Sequence, residues 1–301
     1  MSTNTTDEVP CREGRKAQRQ LYEKAHQLFQ DRLEVFIDKV EYPLPYDLCD
    51  QIRTVPWNMP CMDLSISNDL REAINQLHSW YHSLVDWHLW IDVLKKFEGN
   101  DAWYIRKRYI EPLAYFCMMQ PSSTRERFGS IATNALHQAN LALLNDYKDQ
   151  LDQDKRGYLS RSQREKQIRC LGKPWECCTG FQQALQRLDS KDFSRASYNF
   201  RNLASHGIAP RFEQGETNFV KRSIEPWSEL VEQADGTYQL VSHPIKKAVC
   251  YGVGGTRPLS FQAAYDACAK EYLNALATFH SYQALVRELI QALATGYEIS
   301  N

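Results

Sequence analysis

Apolar residues recur along most of this chain at steps of three and four, the period of a helix that buries one face. From Arg15 to about Val40 the buried positions are Leu21, Ala25, Leu28, Phe29, Leu33, Phe36 and Ile37, and Glu41-Tyr42-Pro43-Leu44-Pro45 ends the run. The next segment, to about Ser67, carries prolines at 56 and 60 and predicts a crossing loop with at most short structure. A long helix is predicted from about Asp69 to Glu98, opened by an Asp69/Glu72 capping box and closed by Gly99 in a left-handed turn. Its seam of Leu77, Trp80, Leu84, Trp87, Ile91 and Leu94 is built to pack on other helices, so the Trp80/Trp87 stripe reads as core or dimer interface.

The periodicity continues. A helix from about Ala102 to Met118 is expected to stop before Gln120-Pro121, and Ser123 and Glu126 form a capping box for another. That one buries Phe128, Ile131, Ala132, Ala135, Ala139, Ala142, Leu143 and Tyr147. A short helix from about Ser162 to Cys170 ends at Gly172, and Pro174 sits in the first turn of a helix reaching about Leu188. After a turn at Asp189-Ser190-Lys191-Asp192, one helix is predicted from Phe193 to Ser205.

From Ile208 to Leu259 the pattern changes to many glycines and prolines. Ser228–Glu232, Thr237–Val241 and Lys247–Val253, with Asp235-Gly236 as a turn, predict a small hairpin or three-strand insert. Gly252-Val253-Gly254-Gly255 reads as a turn, because Pro258 follows and the last glycine of a phosphate loop is missing. Ser260 caps a long final helix whose buried side includes Phe261, Ala264, Cys268, Tyr272, Phe279, Leu285 and Leu289, ending near Gly296. The predicted fold is all-α, a helical bundle with a small irregular or β-hairpin insert before the last long helix. Residues 1–120 are expected to form an N-terminal helical region, and 121–301 a second helical domain with its insert at about 208–258.

Composition narrows the chemistry. With 301 residues the chain can bury a substantial core, and 36 Lys+Arg against 37 Asp+Glu leave a net charge of -1, so nucleic-acid affinity must come from a local patch. The 9 cysteines are scattered and form no C-x-x-C pair, which fits a reduced interior. The polar start, Met1 to Pro10, with its Ser/Thr/Asn-rich disordered character, has no apolar signal region, and no apolar run reaches membrane-spanning length; a cytoplasmic protein without a membrane partner is expected. The strongest local positive charge lies between Asp152 and Lys173, where Lys155, Arg156, Arg161, Arg164, Lys166 and Arg169 form a candidate RNA-binding face.

Arg201-Asn202-Leu203-Ala204-Ser205-His206-Gly207 carries the candidate catalytic groups. On the predicted helix Arg201 lies on the polar face one turn from the end, His206 at the terminus, and Gly207 is the expected left-handed residue after it. Cleavage of RNA by its own 2′-hydroxyl needs a proton carrier and a counter-charge on the phosphate. Imidazole titrates near neutrality and serves the first need. Arg201 offers a permanently charged, bidentate fork for the second, and Asn202 can orient the imidazole or a phosphate oxygen. The scheme uses no metal and no cofactor.

Arg-polar-x-x-x-His at a helix end in an all-α domain resembles the HEPN superfamily. Many of its members are metal-independent endoribonucleases of prokaryotic toxin–antitoxin, abortive-infection and other antiphage systems. The resemblance implies RNA as substrate and a homodimer that joins two Arg/His pairs in one cleft, with an antitoxin or sensor protein as a further partner. It makes Arg201 the phosphate-binding arginine, Asn202 the polar modulator and His206 the catalytic histidine. The chain departs from members paired with nucleotidyltransferase antitoxins, which carry Tyr two residues after the His where Ile208 stands here. The alternative is a non-catalytic helical module that dimerises and binds a nucleotide or a partner.

Other spacings are weaker. Arg71 and His78 also fall within the Arg-to-His spacing that the family permits, but inside the Trp-rich helix, where Arg71 is followed by Glu72 and no terminus follows the His. His78, His82 and Asp86 share a helical face with metal-site spacing, though such a face is more often a solvated surface. Glu23 and His26 match one arm of a di-iron site whose second arm does not occur.

Overall fold

The computed structural model describes residues 8–37 and 44–296. The expected helix end at Glu41-Tyr42-Pro43, the last residues before Val40 and the Ser/Thr/Asn-rich start lie outside the described residues. Two compact units make up the chain: a helical one, Met1–Arg201 with Phe261–Asn301, and a hairpin unit, Asn202–Ser260.

The helical unit holds α1 (Glu8–Ile37), α2 (Asp47–Ile52), α3 (Met62–Leu94), α4 (Gly99–Ile105), a π-helical turn (Arg106–Ile110), α5 (Glu111–Leu143), α6 (Asp152–Arg156), α7 (Arg161–Leu171), α8 (Glu176–Arg187), α9 (Lys191–Ala196) and α11 (Phe261–Thr295). Helix α11 packs along α5, α3 and α8; α3 also lies on α5, and α7 covers α5 from another side. Trp80, Trp87, Phe128, Phe181, Phe279 and Tyr282 are fully buried among them. Trp80 meets Tyr272 edge-on at 5.4 Å between ring centres, and Trp87 meets Tyr265 at 5.6 Å. The tryptophan stripe is therefore core. On the far side of α3, Trp90 stacks between Phe29 at 4.7 Å and Tyr109 at 4.2 Å, tying in α1 and the π turn.

Several expected boundaries moved. The crossing loop contains α2, and α3 starts at Met62 instead of Asp69, so Asp69 is a helix-interior residue and caps nothing. Apolar Ile66 and the Ser67 hydroxyl, which donates to the Cys49 carbonyl at 2.8 Å, bring this extra turn into the core. Gly99 is left-handed as expected, φ 55°, and begins α4.

The largest change is α5, which passes unbroken through Pro121 where two helices were expected; the anticipated domain division at 120/121 falls inside it. A proline within a helix loses one backbone bond and crowds the preceding turn, at a cost of about 3 kcal/mol. Burial outweighs that cost here. Cys117, Met118, Pro121 and Thr124 are all buried, and Gln76 of α3 donates to Gln120 at 3.0 Å and to Thr124 at 3.2 Å. Pro174 precedes the Trp175 cap of α8 instead of entering its first turn.

In the hairpin unit β1 (Thr217–Glu232) and β2 (Tyr238–Thr256) pair antiparallel over nearly their whole length, with one irregularity between Pro226 and Ser228. There is no third strand among the described residues, and each strand is longer than the expected segments. Asp235 and Gly236, φ 81°, make the turn as predicted, and the Thr237 hydroxyl and N–H hold the Asp235 carboxyl below the usual carboxylate range. The Gly252–Gly255 run is strand, not turn. Phe219 lies across Gly254 so closely that a Cβ there would sit 2.7 Å from its ring, a close approach that a glycine within a strand accommodates.

Candidate functional site

The predicted Phe193–Ser205 helix is two helices. Helix α9 stops at Ala196, and α10 (Phe200–His206) carries the motif. Between them Tyr198 and Asn199 are both left-handed, φ 50° and 56°. Asparagine tolerates that conformation through local hydrogen bonding, but for Tyr it costs roughly 1–2 kcal/mol. The turn is held by Asn199 N–H donating to the Ser194 carbonyl at 2.7 Å and Phe200 N–H to Ser197 at 3.0 Å. Buried Phe200 anchors the new helix by an edge-on contact with Tyr115 of α5, 5.1 Å between centres. Ser197, at the end of α9, is buried.

Arg201, Asn202 and His206 all fall in α10, and each is exposed. The chain passes from the helical to the hairpin unit between Arg201 and Asn202. His206 is the last helical residue, as the sequence predicts. Gly207 is not left-handed; its N–H donates to the Leu203 carbonyl at 2.8 Å in the ordinary helical sense. Leu203 and Ala204 are half-buried.

The basic stretch divides. Lys155 and Arg156 end α6, and Lys166 and Arg169 project from α7; all four are exposed. Arg161 and Arg164 instead bind acids of the helical unit: Arg161 reaches Asp189 at 2.5 Å and Glu126 at 3.7 Å, and Arg164 reaches Glu126 at 3.0 Å. The Arg164 stem lies against Gly129, where a Cβ would come within 3.1 Å.

No protein-family model, curated protein or solved structure matches the chain.

The other spacings resolve into structural roles. Tyr46 lies 3.3 Å from His78 Nδ1, and burial raises the Asp86 carboxyl against the opposing effect of His82. No cluster of three or more His, Cys, Asp or Glu side chains able to hold a metal occurs among the described residues. Glu23 pairs with Arg19 at 2.9 Å, and His26 lies 3.3 Å from Gln30.

Two polar clusters escape sequence reading. Arg125, nearly buried on α5, donates to Glu165 at 2.5 Å and to the Leu188 carbonyl at 2.6 Å. Glu271 of α11, also buried, accepts from Asp189 N–H at 2.6 Å and from Asn274 at 3.1 Å, and burial raises its pKa. Elsewhere His137, buried on α5, lies between Tyr147 at 2.6 Å and Asp149 at 2.9 Å, with the Tyr147 phenol pushed up to about 12 by burial. The only sequence trace of these groups is a polar letter inside an apolar stripe, as with His137 between Leu136 and Ala139.

Proposed function

We propose that the chain is a metal-independent endoribonuclease of the HEPN type, acting as a dimer in prokaryotic toxin–antitoxin or antiphage defence. The observation that carries the reading is that Arg201, Asn202 and His206 are exposed on one short helix that a strained turn starts afresh. Strained non-glycine residues persist where the surroundings hold them, and such sites cluster at functional segments. A strained break directly before Arg201 fits a segment under functional constraint.

In this scheme an imidazole takes the proton of the 2′-hydroxyl as its oxygen attacks phosphorus. The bond to the 5′-oxygen breaks, that oxygen gains a proton, and the products are a 2′,3′-cyclic phosphate and a 5′-hydroxyl. Arg201 neutralises the charge that grows on the two non-bridging oxygens, where a planar fork fits better than a point charge. His206 moves the proton, and the second histidine of a dimer supplies the opposite acid-base role. Exposed Lys155, Arg156, Lys166 and Arg169 give the helical unit its own basic groups for phosphate contacts.

The test is cleavage of RNA by purified protein in the presence of a chelator, with the new ends identified. His206→Ala is expected to lower the rate about 100-fold or more with folding unchanged by circular dichroism. Full cleavage by that variant sinks the assignment.

A further inference from the structure

We propose that a small aromatic pocket at the seam of α3 and α11 binds a planar, uncharged nitrogen heterocycle of bicyclic size. The site is formed wholly by the helical unit and does not depend on the catalytic reading.

Helical spacing lays the pocket out. Tyr81, Leu84, Val85 and His88 come from α3, and Tyr265, Ala269, Tyr272 and Leu273 from α11. Within each set the residues recur at steps of three or four, with one adjacent pair, so each set occupies one side of its helix. Phe36 of α1 completes the wall, and the cavity measures about 320 Å³. At ~30 Å³ per water it has room for about ten waters, and so for a ligand of about ten non-hydrogen atoms. One fused bicyclic ring has that size, at the small end of ligand sites.

The walls decide the class. Phe36, Tyr81, His88, Tyr265 and Tyr272 supply rings. Tyr81 and Tyr272 lie 5.7 Å apart with their planes tilted by 33°, and His88 and Tyr265 lie 5.4 Å apart at 34°. Ring walls favour a flat π-system, which gains from offset stacking and edge contacts as well as from burial. The other four lining residues are aliphatic, and among the described residues no carboxylate, lysine or arginine lines the pocket. An ammonium or a phosphate placed there would lose water without gaining a counter-charge. The ligand is therefore uncharged.

One buried polar atom adds a further demand. Tyr272 is only 5% exposed, and its hydroxyl has no hydrogen-bond partner among the described residues. A buried phenol left unpaired is destabilising, and an acceptor on the ligand relieves that. A ring nitrogen with a free lone pair supplies the acceptor without adding charge or breaking planarity. Size, flatness and an in-plane acceptor together describe a purine-like heterocycle.

The experiment is calorimetric titration of the full chain with adenine, with indole, which has the same ring size but no ring acceptor, and with choline, a cation that aromatic walls can also hold. Wild type is expected to bind adenine with a Kd below about 1 mM and indole about tenfold more weakly. Tyr272→Phe keeps the ring and removes the donor, so adenine affinity should fall about tenfold while indole affinity stays unchanged. Ala269→Phe fills the cavity and should bind neither, with its circular dichroism unaltered; if that variant misfolds, Tyr272→Phe decides alone. Arg201→Ala should bind adenine as wild type does. The proposal is overturned by a wild type that does not bind adenine, by indole bound as tightly as adenine or choline more tightly, by equal adenine affinity in Tyr272→Phe, or by binding that survives in folded Ala269→Phe. Binding lost in Arg201→Ala overturns it as well, because the ligand would then sit at the motif. Failure of RNA cleavage bears on the catalytic reading and leaves this one untouched.

Discussion

Arg161 holds Asp189 by a 2.5 Å ion pair, and the residue it holds is left-handed, φ 51°. The same turn is gripped from two other helices. Arg125 donates to the carbonyls of Leu188 and Asp189 at 2.6 and 3.3 Å, and Glu271 accepts the Asp189 N–H at 2.6 Å. Side chains of α5, α7 and α11 thus converge on the connection from α8 to α9, a short distance before the strained turn that leads into α10. A stretch that looks like a nucleic-acid patch in sequence is partly the fastening of a loop.

Arg125 and Arg161 should therefore behave differently from their exposed neighbours. Removing nearly buried Arg125, as in Arg125→Leu, leaves Glu165 and the Leu188 carbonyl without a charged donor and is expected to cost about 3 kcal/mol of stability in urea unfolding. Arg161 is more than a third exposed, so Arg161→Ala should cost only about 1 kcal/mol. Neither change should alter the salt dependence of RNA binding. Lys166→Ala or Arg169→Ala should flatten its slope by about one unit with stability unchanged.

Glu271 gives the fold a pH signature. Burial raises its pKa above the ordinary carboxylate value, so the folded state binds its proton more tightly than the unfolded state does. Stability from this group is then greatest at low pH and falls as pH rises from the unfolded value through the raised one. Glu271→Gln, which keeps an acceptor for the Asp189 N–H, should lack that fall. Urea midpoints compared at acidic and neutral pH should show the variant gaining on wild type as pH rises; parallel curves would mean that Glu271 does not titrate in this interval.

The long amphipathic helices were legible because a period of three and four, carried over many residues, is a redundant signal. Trp80, Trp87 and Phe279 each lie in the core that their spacing predicts. Misread sites are those where one residue with a strong local preference was overruled by packing. Pro121 should stop a helix and does not, because its turn is buried on both sides. Gly252 to Gly255 should turn the chain and do not, because each of these residues pairs in register with a residue of β1. In the motif the spacing and the helix end at His206 were readable. The break at Tyr198 and Asn199 was not, since neither residue type announces two successive left-handed conformations. Arg161 and Arg164 looked free because their acids, Glu126 and Asp189, are distant in sequence.

The overruled proline makes a direct prediction. Pro121→Ala restores a backbone donor and removes the ring from the preceding turn, worth about 3 kcal/mol in a helix interior. It also removes two buried methylene groups, a loss of about 1.6 kcal/mol at ~0.8 kcal/mol each. The net expectation is about 1 kcal/mol of added stability, read as a higher urea midpoint at constant slope. A lower midpoint would mean that α5 is adapted to its proline more closely than this balance allows.

Arg201 offers the most selective test of the catalytic proposal, because charge and shape can be separated at one position. If its task were only to attract RNA, Arg201→Lys would keep it, since both side chains carry one positive charge. If the planar fork binds two phosphate oxygens as charge grows on them, lysine supplies a single point of contact and is not a conservative replacement. Under the second reading Arg201→Ala should lower the cleavage rate roughly 100-fold, comparable to loss of one transition-state donor. Arg201→Lys should recover only part of that loss, with substrate affinity near the wild-type value. His280→Ala, at an exposed position on α11, should leave the rate unchanged and so serves as the control for histidine removal as such. Full activity in Arg201→Lys would reduce Arg201 to electrostatic attraction and leave the phosphate without a bidentate partner from this motif.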